Sequence, residues 1–70
     1  MKLTPEKLTI LLEHMLHHNK HHCDEIKEIA DAASQLNKED IAAVILEAKE
    51  IQDKANAKLE AALDMAKKEL

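Results

Sequence analysis

The chain contains no glycine, and its one proline is Pro5. Without glycine, the chain lacks the residue that most readily turns backbone through left-handed space, and two-residue β-hairpins lose their favoured turns. With proline confined to position 5, nothing later in the sequence breaks a helix. The residues that fill the space are mainly Ala, Leu, Glu and Lys, which are strong helix formers. These features predict an all-α chain, helical almost from end to end.

Two start signals divide it. In "LTPEKL" Thr4 suits an N-cap, Pro5 the first helical position, and Leu3 can staple onto Leu8. In "LNKEDI" the grammar recurs, with Asn37 as N-cap, Asp40 in the reciprocal capping position and Leu36 stapling onto Ile41. Ser34 and Asn37 interrupt the pattern as a tight connector would. The reading is a single domain over 1–70, with helix one at 4–36 and helix two at 38–70, each about 50 Å long. So short a connector makes the two antiparallel, an αα-hairpin.

Helix one carries a seven-residue repeat through Leu8, Leu12, Met15, Asn19, His22, Ile26, Ile29, Ala33 and Leu36. Helix two repeats through Ile41, Ile45, Ala48, Gln52, Ala55, Leu59, Ala62 and Ala66, and its alanines at 48, 55 and 62 suggest a line of close approach. If Leu36 sits beside Ile41, facing residue numbers sum to about 77, which sets His22 opposite Ala55. Leu11, Val44 and Leu63 flank these seams, so each apolar face is wider than one helix pair can cover. A chain of this length buries only about 60% of its unfolded surface. Cys23 is the only cysteine, which rules out a disulfide within the chain as the staple. A metal or a second copy remains, and the simplest arrangement is a homodimer closing into a four-helix bundle. A monomeric hairpin with one apolar side is the alternative.

Composition excludes several classes. Ten basic residues are interspersed among 14 acidic ones, with no arginine stripe and no aromatic ring, so neither nucleic acid nor a lipid interface has a footprint here. Phosphate-cradling glycine loops are impossible, and Ser34 lies far in sequence from every histidine, so no enzymatic triad is expected. The N-terminal segment resembles neither a secretory leader nor a membrane span, and a lone cysteine suits a reducing compartment, so the expected setting is cytoplasmic.

The remaining singularity is "EHMLHHNKHHCDE". All five histidines and the cysteine fall between His14 and Cys23. With His22 at zero on a helical wheel and the apolar centre near +20°, His18 falls at about −40° and His14 at about −80°. The three form an i, i+4, i+8 ladder climbing into the apolar face. His17 and His21 face solvent, and Cys23, at about +100°, reads as a small partly buried hydrophobe away from the ladder. Two imidazoles one turn apart can share a metal ion, but helix two has no histidine to complete the shell. A twofold axis near residue 20, the midpoint of helix one, would bring His18 and His22 of one chain against His22 and His18 of another. Metal ligands are therefore expected at His14, His18 and His22. The affinity order for imidazole sites admits Ni(II), Zn(II), Co(II) and Cu(II).

The spacing E-H-x-x-x-H-N-x-x-H, here Glu13, His14, His18, Asn19 and His22, resembles a family of small histidine-containing helical hairpins. That family is similar to the nickel-binding accessory protein of carbon monoxide dehydrogenase maturation. The resemblance implies nickel as first metal, a site at a dimer interface, and an acceptor metalloprotein as partner. Met15 stands where relatives carry an aromatic residue, and a histidine-rich tail for bulk storage is missing.

Three functional classes follow. The first is a non-enzymatic metal carrier or sensor. The second is a protein–protein interaction bundle whose core histidines set register or sense mild acid, since imidazole ordinarily titrates at about 6.5. The third, a catalytic haem or di-metal bundle, ranks last because such sites draw Glu-x-x-His pairs from several helices.

Overall fold

The computed structural model describes residues 4–69. It is a hairpin of two α-helices, α1 (Pro5–Gln35) and α2 (Glu39–Glu69), packed against each other. Thr4 caps α1 as expected, its hydroxyl accepting from the Lys7 amide at 3.3 Å, and Pro5 opens the first turn. The expected staple from Leu3 lies outside the described residues. Among the described residues, no helix is long and apolar enough to cross a membrane.

The connector differs from expectation in one instructive way. Asn37 is not the N-cap of α2. It adopts φ 60°, in left-handed space, and closes α1 instead. Its amide donates to the Ser34 carbonyl at 3.0 Å, and the Lys38 amide donates to Ala33 at 2.9 Å, the paired bonds of a Schellman close. Glycine usually holds that position. In a glycine-free chain it falls to Asn, which tolerates left-handed backbone better than other residues. The Lys38 carbonyl then accepts the first bond of α2, from Ala42. Asp40 accepts from the Ile41 amide, and the Ser34 hydroxyl reaches the Glu39 carboxylate at 3.2 Å. Leu36 and Ile41 both remain exposed, so no staple forms between them.

The seam between the helices is heptad-spaced but turned by one residue from the expected phase. On α1 the buried line runs through Leu16, Cys23 and Ala30, with Ala33 beyond. On α2 it runs through Ala42, Asn56, Leu63 and Ala66. Leu12, Asn19, Ile26, Ile45, Gln52 and Leu59 are half-buried and belong to both the expected and the observed patterns. Met15, His22 and Ile29 face outward, as do Ala48 and Ala55. On α1 size accounts for the choice, since Cys23 and Ala30 let the backbones approach more closely than His22 or Ile29 would. On α2 it does not, since Ala48 and Ala55 stay outside while Asn56 and Leu63 are buried. The cross-helix register is correspondingly different from the expected sum of 77. Cys23 contacts Asn56, Lys20 pairs with Glu60, and Glu13 pairs with Lys67, so facing numbers sum to 79 or 80. His22 therefore lies level with Lys58 and outside the seam, not opposite Ala55 within it.

Polar side chains occupy the middle of this seam. Asn56, 6% exposed, accepts from Gln52 at 3.1 Å and donates to the Cys23 sulfur at 3.4 Å. Lys49 and Asp53 form an ion pair at 2.8 Å beside them. Every buried side-chain nitrogen and oxygen among the described residues has a partner. Since a buried amide left unpaired costs about 1–3 kcal/mol, this cluster favours one register over its neighbours.

The hairpin alone is thin. It measures 49 × 19 × 14 Å, with a radius of gyration of 15.9 Å against about 11 Å for a compact chain of equal length. Its accessible surface, 5572 Å², exceeds by roughly 1,100 Å² the value of about 4,400 Å² expected for a compact monomer of this mass.

Candidate metal centre

The rotated seam leaves a second heptad line exposed on each helix. On α1 it is Leu8, Met15, His22, Ile29 and Leu36, and on α2 it is Val44, Ile51, Lys58 and Met65. The α1 line lies one residue back from buried Leu16, Cys23 and Ala30, and the α2 line one residue back from half-buried Ile45, Gln52 and Leu59 and buried Ala66. Stepping back by one residue turns each helix by about 100°, and because the helices are antiparallel both turns open onto the same side of the hairpin. The result is one broad apolar face. Each column is broken once by a polar residue, at His22 and at Lys58, and the register sets those breaks at the same level.

His22 is the centre of the α1 column, while Lys58 has Val44 and Ile51 on one side and Met65 on the other. Met15 and Ile29 lie seven residues either side of His22, and Ile51 and Met65 lie seven either side of Lys58. Leu8 and Leu36 extend the α1 column symmetrically. The face is thus close to self-complementary about the His22 level, two residues from the midpoint of α1 that sequence alone suggested.

On this face α1 presents its imidazoles. One helical turn separates His18 from His22, and their Nε2 atoms stand 2.8 Å apart, the rings crossing at 88° with centroids 4.2 Å apart. Two nitrogens bound to one ion at about 2.1 Å would be separated by about 3.0 Å at a right angle and about 3.4 Å at a tetrahedral angle. A small opening of the pair reaches the first geometry. The spacing of the two nitrogens is therefore close to that of adjacent ligands.

Behind the pair stands Glu25, which the sequence reading missed. Its Oε1 lies 3.5 Å from His22 Nδ1 and 3.3 Å from His21 Nε2. The signal was available, since i+3 and i+4 neighbours share a helix face. His14, a turn earlier, joins Leu11, Met15, His18 and Asn19 around a shallow depression, but it is not drawn to the His18–His22 point. Among the described residues no group of three or more His, Cys, Asp or Glu side chains is assembled to hold a metal. One chain thus brings two imidazole nitrogens together and no third such group.

Cys23 takes no part in this pair. It is buried in the seam, and its thiol is pushed above its ordinary value, first by burial and then by the neighbouring Asp53 carboxylate. A thiol kept neutral and directed at Asn56 is a packing group, as its angle on the helical wheel indicates.

An antiparallel helical hairpin with one self-complementary apolar face and an imidazole pair at its centre is the class that fold and site define. Residues 8–66 match a family described as a domain of unknown function, DUF8180, and the chain belongs to that family. No curated protein and no solved structure matches it significantly.

Proposed function

We propose that the protein is a non-enzymatic metal-binding homodimer of the cytoplasm, a carrier or sensor. Two hairpins meet through their apolar faces, and the His18–His22 pairs of both chains complete one coordination shell. The observation that carries this reading is the 2.8 Å approach of the two Nε2 atoms on the face that the hairpin leaves uncovered, level with Lys58. A pair built only for register would need no such convergence. The surplus surface supports the dimer: about 800 Å² per partner is a standard interface, and the hairpin exposes more than that beyond a compact monomer. Closing the two faces yields the four-helix bundle expected from the width of the apolar stripes. His14, beside the pair, is the candidate further ligand.

Nickel is the first metal to test, on the resemblance carried by Glu13, His14, His18, Asn19 and His22. Zn(II), Co(II) and Cu(II) follow from imidazole chemistry. A carrier would hand its ion to an acceptor metalloprotein. Calorimetric titration of wild type and His22→Ala with Ni(II) and Zn(II) tests the reading. Micromolar or tighter binding, lost in the variant, is expected; equal weak binding in both would instead favour the interaction bundle.

A further inference from the structure

The geometry points to Glu25 as the positioning residue that selects the tautomer of His22, and so makes His22 the first ligand; this rests on the metal reading above only in its second half. The two Nε2 atoms of His18 and His22, 2.8 Å apart, share a hydrogen bond, in which one nitrogen donates and the other accepts. The pair by itself is ambiguous, since either ring can play either part. Glu25 removes the ambiguity. Its carboxylate carries negative charge 3.5 Å from Nδ1 of His22, close enough to stabilise a proton there though not as a formed hydrogen bond. That favours the proton on His22 Nδ1 and leaves His22 Nε2 as a bare lone pair. His18 must then donate from its own Nε2.

The consequence is an asymmetric pair. His22 already holds its ligating nitrogen unprotonated, with a carboxylate near the other nitrogen of the ring. His18 becomes a ligand only after its proton has moved from Nε2 to Nδ1 through solvent, with no net proton lost from the neutral ring. His22 is accordingly the residue that captures an ion, and His18 the one that closes on it. Glu25 also lies 3.3 Å from His21 Nε2, so its charge is shared between two successive rings.

The test reads the tautomer directly, without metal, by long-range 1H–15N correlation at about pH 8.5, above the ordinary imidazole value of about 6.5. In wild type the His22 proton is expected on Nδ1. In Glu25→Ala it should shift towards Nε2. Glu25→Gln, which keeps the size but removes the charge, should shift it likewise. Nickel affinity should fall about 10- to 100-fold in both variants. An unchanged His22 tautomer in Glu25→Ala would overturn the inference, whatever nickel does. A wild type with the expected tautomer but no nickel binding would overturn the metal reading and leave the positioning role of Glu25 standing.

Discussion

Replacing Ile51 with serine probes the face on which everything else depends. Ile51 is 69% exposed in the single hairpin and lies in the outward column of α2, not in the seam against α1. Full burial of an isoleucine is worth about 1.5–3 kcal/mol, so covering the exposed share is worth about 1–2 kcal/mol per chain. A twofold interface counts the residue twice, giving about 2–4 kcal/mol per dimer, or a dissociation constant raised roughly 30- to 800-fold. The hairpin itself should be undisturbed, so helical circular dichroism of the dissociated chain should match wild type. Leu46→Ser is the control: Leu46 is 44% exposed but sits by a separate shallow groove with Ala43, Glu47 and Glu50. Sedimentation equilibrium across the micromolar range should show Ile51→Ser dissociating and Leu46→Ser behaving as wild type. Equal effects from both, or a wild type that is monomeric at every concentration, would refute the reasoning.

Other consequences can be checked on the same preparations. Leu16→Ala, which opens the buried seam at a site 6% exposed, should cost about 2–4 kcal/mol in urea denaturation, enough to unfold so thin a hairpin. Asn56→Ala strips the Cys23 thiol and Gln52 of their partner and should cost about 1–3 kcal/mol, without the loss of register expected from a larger substituent. On the acid side, the Lys49 ammonium holds the Asp53 carboxyl below its ordinary 3.8. The pair's stability is therefore present above that value and lost as pH falls through the lowered one, so the acid loss should be smaller in Asp53→Asn than in wild type. On the alkaline side, burial and Asp53 raise the Cys23 thiol above 9.0. Its contribution is complete below 9.0 and lost as pH rises through the raised value, so Cys23→Ala should flatten the wild-type decline in that window.

The elements of the fold were legible because they rest on local chemistry. Absence of glycine, Thr4–Pro5 at one start and a polar break near residue 37 bounded two helices that the structure reproduces within a residue or so. The phase of packing was not legible, and the reason lies in the width of the stripes. Met15 and Leu16, His22 and Cys23, and Ile29 and Ala30 are adjacent pairs in which either residue could have faced the partner helix. On α2 size did not decide, since Ala48 and Ala55 stayed outside while Asn56 and Leu63 were buried. On α1, hydrophobicity favours Met15 and Ile29, whereas close approach favours Cys23 and Ala30, and the smaller residues won. The bulky set was left for the second face. Asn37 was misread for a related reason: asparagine serves both as N-cap and as left-handed closing residue, and only the absence of glycine nearby argued for the second. The His18–His22 pair was legible from i, i+4 spacing alone, and the Glu25 contacts follow from the same geometry at i+3 and i+4.

Anomalous diffraction at the nickel edge, from crystals of the nickel-loaded protein, examines the shared site most directly. The account predicts one peak for every two chains, about 2.1 Å from Nε2 of His18 and His22 in each. A peak held by a single chain, or one seated on His17 and His21 away from any second hairpin, would contradict it.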